Sequence, residues 1–230
     1  MKEAKNVTPD YETTANAGVS RRRFLGYAGG LAGAGLLIAS CKKEDPDVIP
    51  EPGAADLGIN DQGLMNLLFV AQQVEAAIYT QAVLTPYSGM KEYEKLWLTD
   101  MRDQEIAHRE FLRNYLKGQG TAVETDLSII DFGSRASVLE NLEVIENLVV
   151  ATFNEVGRLL VFTDNLEIIV KMASLEARHA ATISNLRNEG SFFGPVDVTG
   201  SEPGSLPSNS VTILNRFLAT KVSGNNLPNK

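Results

Sequence analysis

Glu105-Ile106-Ala107-His108 and Glu176-Ala177-Arg178-His179 decide how this chain is read, because both are Glu-x-x-His. Residues three apart lie on one face of an α-helix, so each pair can grip a single ion. The chain has only two histidines, and both stand in this motif. Glu75 and Glu146 complete the set. The separations Glu75 to Glu146, Glu105 to Glu176 and His108 to His179 are all 71 residues, and Glu75 to Glu105 and Glu146 to Glu176 are both 30.

Around each of these residues the apolar side chains recur with helical period. Asn60 and Asp61 can cap a first helix running to about Leu84, with Leu64, Leu68, Ala71, Glu75, Ile78 and Ala82 facing inward. Thr85-Pro86-Tyr87-Ser88-Gly89 ends it. A second helix is predicted from about Met90 to Lys117, with the stripe Leu98, Met101, Glu105, His108, Leu112 and Tyr115. A third is predicted from about Ser134 to Phe162, with Leu139, Leu142, Glu146, Val149, Phe153, Val156 and Leu160 inward. Thr163-Asp164-Asn165 can turn the chain and cap a fourth helix that continues to about Asn188, burying Ile169, Met172, Glu176, His179, Ile183 and Leu186.

Four such stripes cover one another in an all-α four-helix bundle. Short turns make the first pair and the second pair antiparallel hairpins. The segment Gln119 to Phe132 between them can cross the length of a bundle. Residues 60–190 thus read as the bundle. Residues 191–230 read as a C-terminal loop followed by a short helix from about Val211 to Thr220. The turns lie near positions 90 and 161, midway between the paired glutamates, which sets all six polar side chains at one height.

Burying four carboxylates at one level costs too much unless charge or protons compensate. Two divalent cations supply that charge, and carboxylate oxygen with imidazole nitrogen suits iron or manganese, with zinc a further candidate. One glutamate from each of two helices and Glu-x-x-His from each of the other two is a dimetal carboxylate arrangement. The bland alternative is a metal-free bundle holding a protonated polar network. Glu155 competes with Glu146 for the third-helix place, and stripe position favours Glu146. Tyr79, one turn after Glu75, reads either as support for a ligand carboxylate or as packing. Trp97 stands beside the second stripe and reads as packing or partner contact.

The N-terminal forty residues differ in kind. Ser20-Arg21-Arg22-Arg23-Phe24-Leu25 sets arginines before a short, glycine-rich apolar stretch ending at Ala39. This resembles a Tat-type signal peptide. Ile38-Ala39-Ser40-Cys41 resembles a lipobox, making Cys41 the lipidated residue and residues 41–59 a linker off the lipid. An uncleaved anchor is the other reading of this stretch. Either places the protein on a cell-envelope membrane, outside the cytoplasm.

The full chain carries a net charge of -8, which argues against nucleic acid as a partner. Its one Cys excludes a disulfide framework or a thiolate-rich zinc site. No Gly-rich phosphate loop is present, and both histidines are committed to ligand spacing, which argues against a Ser-His-Asp hydrolase.

Val74-Glu75-Ala76-Ala77-Ile78-Tyr79, Glu105 to His108, Glu146 and Glu176-Ala177-Arg178-His179-Ala180 together resemble the ferritin-like superfamily, in the exported group that includes desiccation-related proteins. The third helix departs from that group in Val149-Val150-Ala151-Thr152-Phe153. The resemblance implies Glu75 and Glu146 as terminal ligands, Glu105 and Glu176 as bridges, and His108 and His179 capping one metal each. It further implies reaction with oxygen or peroxide, or oxidation of ferrous iron, in envelope protection. A non-catalytic metal-binding or structural stress lipoprotein is the alternative. An N-terminal lipid tether argues against a closed ferritin cage.

Overall fold

The computed structural model describes residues 53–192 and 203–228. The signal-like segment, Cys41 and most of the linker lie outside the described residues. Four long helices form the bundle: α1 (Asn60–Leu84), α2 (Glu92–Tyr115), α3 (Arg135–Leu159) and α4 (Thr163–Arg187). A fifth, α5 (Pro207–Leu214), packs on α1 and α3 and runs into a 3-10 turn at Asn215–Phe217. A two-residue parallel pairing joins β1 (Ala55–Asp56) to β2 (Val222–Ser223).

The long connection does traverse the bundle. Ser88 N–H donates to the Gly133 carbonyl, and Arg135 at the start of α3 reaches Glu94 at the start of α2 (2.6 Å) and the Leu186 carbonyl at the end of α4 (2.7 Å). Residues 116–134 therefore span the length of α2, about 36 Å at 1.5 Å per residue. Two buried amides fasten them to α1. Asn66 donates to the Gln119 carbonyl and accepts from Thr121 N–H, while Gln73 donates to the Thr121 carbonyl and accepts from Val123 N–H. These bonds satisfy backbone groups that would otherwise be buried without partners.

α1 is the axis of the molecule. It is long and apolar enough in composition to cross a membrane, yet 18 of its 25 residues are buried within the fold. The crossover, α5 and the C-terminal strand cover the side that the other bundle helices leave open. Gly63 marks the tightest contact: a Cβ there would lie 2.7 Å from the Gly58 backbone and 2.6 Å from Leu227.

Several local expectations are corrected. Neither Asn60 nor Asp61 caps α1. Asn60 takes a positive φ of 53°, and Ile59 occupies the cap position. The Asp61 carboxylate instead accepts from the N–H groups of Val161 and Phe162 and from the Asn165 amide. Those backbone donors are thereby removed from α3, which ends at Leu159 rather than Phe162, leaving Val161 and Phe162 exposed. Nor does Thr163-Asp164-Asn165 supply a side-chain cap to α4. Leu160, past the helix end, is only partly buried. Tyr115 is not an inward residue: it closes α2 at the surface, its hydroxyl donating to Asn165 (2.5 Å). The short C-terminal helix begins at Pro207 rather than Val211, proline being suited to a first helical turn.

Candidate metal centre

The helix register brings Glu75, Glu105, His108, Glu146, Glu176 and His179 together in the interior, and all four glutamates are fully buried. Three overlapping groups each place ligand atoms within 4.8 Å of one another: Glu105 with His108 and Glu176, Glu105 with Glu146 and His179, and Glu75 with Glu146 and Glu176. Glu155, the rival to Glu146, lies outside all three and pairs with Arg158.

Glu105 and Glu176 sit between the two imidazoles, each presenting one oxygen to either side. Oε2 of Glu105 lies 3.7 Å from His108 Nδ1, while its Oε1 lies 2.6 Å from His179 Nδ1. Oε1 of Glu176 lies 2.9 Å from His108 Nδ1, while its Oε2 lies 3.8 Å from His179 Nδ1. A carboxylate whose two oxygens face two different imidazoles is placed to bridge two ions.

Glu75 and Glu146 each have one oxygen held and one free. Gln72 Nε2 donates to Glu75 Oε2 (2.7 Å), and the Tyr79 hydroxyl donates to Glu146 Oε1. Tyr79 thus supports a carboxylate, but it is Glu146 across the bundle rather than Glu75 on its own helix. Seven buried side-chain polar atoms among the described residues lack a hydrogen-bond partner. Six are Glu75 Oε1, both Glu105 oxygens, Glu146 Oε2, Glu176 Oε2 and His179 Nδ1. Orphaned buried groups are costly and uncommon in folded proteins, so their concentration at one point is a fit for cations.

Charge behaviour agrees. Burial, reinforced by the charges of Glu105 and Glu176, pushes the carboxyls of Glu75 and Glu146 well above their usual range. Burial and Glu105 also push Glu176 up. Burial works the same way on Glu105, but the adjacent imidazoles of His108 and His179 outweigh it and hold this carboxyl low. His108 is pushed up to about 9, since its contacts with Glu105 and Glu176 overcome the effect of burial. Without cations the centre must therefore retain protons; with them, it can release these protons and neutralise four carboxylates.

Two participants were not singled out by the sequence reading. Gln72 is fully buried and touches Glu75, Glu176 and His108; its spacing of three from Glu75 is the same one-face signal as Glu-x-x-His. Gln104 accepts from or faces His179 Nε2 at 3.1 Å. It lines a groove of about 380 Å³ between α2 and α4, with Trp97, Asp100, Arg178 and Phe192 at its walls and His179 at its edge. Trp97 is 38% exposed, a groove wall rather than core.

No curated protein matches this chain. Residues 60–189, more than half of the sequence, match the family described as Ferritin-like domain. The match spans all four long helices and every residue of the acidic cluster, and the chain belongs to that family.

Proposed function

We propose that the protein is a dimetal carboxylate protein of the cell envelope that reacts with oxygen or peroxide, or oxidises ferrous iron. Glu75, Glu105, His108, Glu146, Glu176 and His179 would hold two divalent ions, iron or manganese, with zinc able to occupy the same donors. The observation that carries this reading is the set of six orphaned ligand atoms in the interior. When bound, the ions supply the redox chemistry, the part no side chain here can perform alone.

The chain's own residues do the rest. Glu105 and Glu176 keep the two positions adjacent. Tyr79 holds one oxygen of Glu146 and leaves the other directed inward. Gln104 fixes the imidazole of His179 from its outer nitrogen, as groups behind metal ligands commonly do. The α2–α4 groove reaches His179 beside Gln104 and would be the approach for oxygen or peroxide, while the four ligand carboxylates are fully buried. The twin-arginine segment and Cys41 support export and a lipid tether, because the Tat route carries proteins already folded and loaded.

Elemental analysis of the folded chain grown in metal-replete medium tests the centre, with about two ions per chain expected from the donor set. Finding no iron, manganese or zinc would remove the reading. Turnover of peroxide or ferrous iron, compared with Glu176→Ala, tests the activity. Equal rates in the two proteins would leave a structural metal centre.

A further inference from the structure

Gln72 meets the imidazole of His108, and no hydrogen bond joins it to that of His179. Resting on the dimetal reading above, we propose that the Gln72 side-chain oxygen is a seventh protein donor, serving the ion held by Glu75 and His108. The ion at His179 then has one protein donor fewer and is the one that takes an exogenous ligand from the α2–α4 groove.

The orientation of the amide follows from its neighbours. Nε2 donates to Glu75 Oε2 at 2.7 Å and to Glu176 Oε1 at 2.9 Å, so it is the nitrogen that meets the two carboxylates. Oε1 is left facing His108 Nδ1 at 3.1 Å. That same Nδ1 is the atom approached by Glu176 Oε1 and Glu105 Oε2, which marks it as the ring nitrogen turned towards the centre. Donors sharing one octahedral ion at bonds of about 2.1 Å lie about 3 Å apart along each edge. The spacings of His108 Nδ1 to Gln72 Oε1 and to Glu176 Oε1 are those of such edges. The amide is neutral, so it adds a donor without disturbing the balance of four carboxylates against two dications.

Four protein atoms meet at the His108 position by their contacts, Glu105 Oε2, His108 Nδ1, Glu176 Oε1 and Gln72 Oε1, and Glu75, bonded through Oε2 to the same Gln72 amide, is assigned to it as the fifth donor. At the His179 position there are four: Glu146 Oε2, Glu105 Oε1, His179 Nδ1 and Glu176 Oε2. Nothing plays the part of Gln72 there. Its counterpart at the 71-residue offset is Glu143, which pairs with Arg187 near the surface. Tyr79 holds Glu146 through its hydroxyl proton and brings no comparable acceptor. The groove is lined by His179 and Gln104, so it meets the imidazole that lacks the extra donor.

The test is a Mn(II) titration of the metal-free full chain, following free Mn(II) by electron paramagnetic resonance. In the unaltered protein two binding steps are expected, separated by about tenfold or more. Gln72→Leu should weaken the tighter step by about 10- to 100-fold, the range for losing a supporting group at a metal site, and leave the weaker step in place. Gln72→Glu keeps an oxygen at the same point and should retain the tight step; it decides the matter if Gln72→Leu does not fold. Two equal steps in the unaltered protein, or equal weakening of both steps by Gln72→Leu, would overturn the inference while the dimetal reading stands. Loss of the tight step in Gln72→Glu would overturn it too. No Mn(II) binding at all in the unaltered protein would remove the dimetal reading itself.

Discussion

Offset by 71 residues, the α1–α2 hairpin and the α3–α4 hairpin agree at Glu75 and Glu146, Glu105 and Glu176, and His108 and His179. They agree in kind at core positions such as Leu68 and Leu139, Met101 and Met172, and Leu112 and Ile183. They part company around the centre. Where the first hairpin has Gln72, Tyr79 and Gln104, the second has Glu143, Val150 and Leu175. The contrast separates two demands. Donors must recur because two similar ions need similar ligands, whereas the groups that hold those donors come from one hairpin and serve both. Burial is unequal as well: α1 buries 18 of its 25 residues and α4 nine.

The sharpest way to break the symmetry is to remove single glutamates. Glu105→Ala and Glu176→Ala, which face both imidazoles, should take the chain from about two ions to nearly none. Glu75→Ala and Glu146→Ala should each leave close to one. Elemental analysis on folded samples reads the difference, and equal losses in all four would mean that no carboxylate bridges.

A pH series on the metal-free protein comes next. Glu75, Glu146 and Glu176 have raised carboxyls, so the folded state binds more protons than the unfolded one above the ordinary carboxylate range. Their contribution is present in acid and is lost as pH rises. His108, raised to about 9, acts in the same direction: its stabilisation is complete below the unfolded value near 6.5 and disappears as pH passes about 9. Glu105, held low, works oppositely and weakens the fold only as pH falls through its own folded value. The thermal midpoint of the metal-free chain should therefore fall between pH 5 and pH 9, and loading with metal should reverse that slope. A flat profile in the absence of metal would contradict the proton-retaining centre.

Smaller effects probe the covering of α1. Gln73→Ala leaves the Thr121 carbonyl and Val123 N–H without partners, at a cost of about 1–3 kcal/mol. Val144, its counterpart on α3, is 38% exposed, and Val144→Ala should change stability by about 0.5 kcal/mol or less. Gly63→Ala should cost about 1–3 kcal/mol, since the new methyl meets the Gly58 backbone as well as the Leu227 side chain, and the backbone cannot turn aside. Denaturant melts compare the three, and a harmless Gln73→Ala would show that the crossover is held by other contacts.

The bundle was legible because its stripes are long and periodic, and because each acidic residue interrupts an apolar face at the same height. What local pattern does not carry is the contact between distant segments. Asp61 looks like a helix cap in sequence, yet it spends its oxygens on Val161, Phe162 and Asn165, about a hundred residues away. The pairing of Ala55–Asp56 with Val222–Ser223 is two residues long, too short to show a strand period. Tyr115 and Leu116 stand three and four residues after Leu112, either spacing continues the stripe, and it is Leu116 that the core buries. Gln72 was open to detection by its spacing; a neutral amide beside a glutamine neighbour, Gln73, simply does not announce which of the two points inward. Gln73 is turned to the crossover and Gln72 to the centre.

The least disruptive experiment concerns the choice between Glu146 and Glu155, nine positions apart on α3. Nine residues at 100° each are 2.5 turns, so the two glutamates project from opposite sides of the helix. Glu146 enters the centre, with Tyr79 on one oxygen and nothing on the other. Glu155 meets Arg158 one turn on, at 2.5 Å, with the Arg158 side chain 56% exposed. The Glu155 side chain is only 12% exposed, but its loss leaves the half-exposed Arg158 free to hydrate, so removing the pair costs about 1 kcal/mol. Glu155→Ala should thus leave the metal content unchanged and shift the denaturation midpoint only slightly. Loss of one ion in Glu155→Ala with none lost in Glu146→Ala would transfer the third-helix ligand to the other face of α3, and with it the 71-residue correspondence on which the two-hairpin comparison depends.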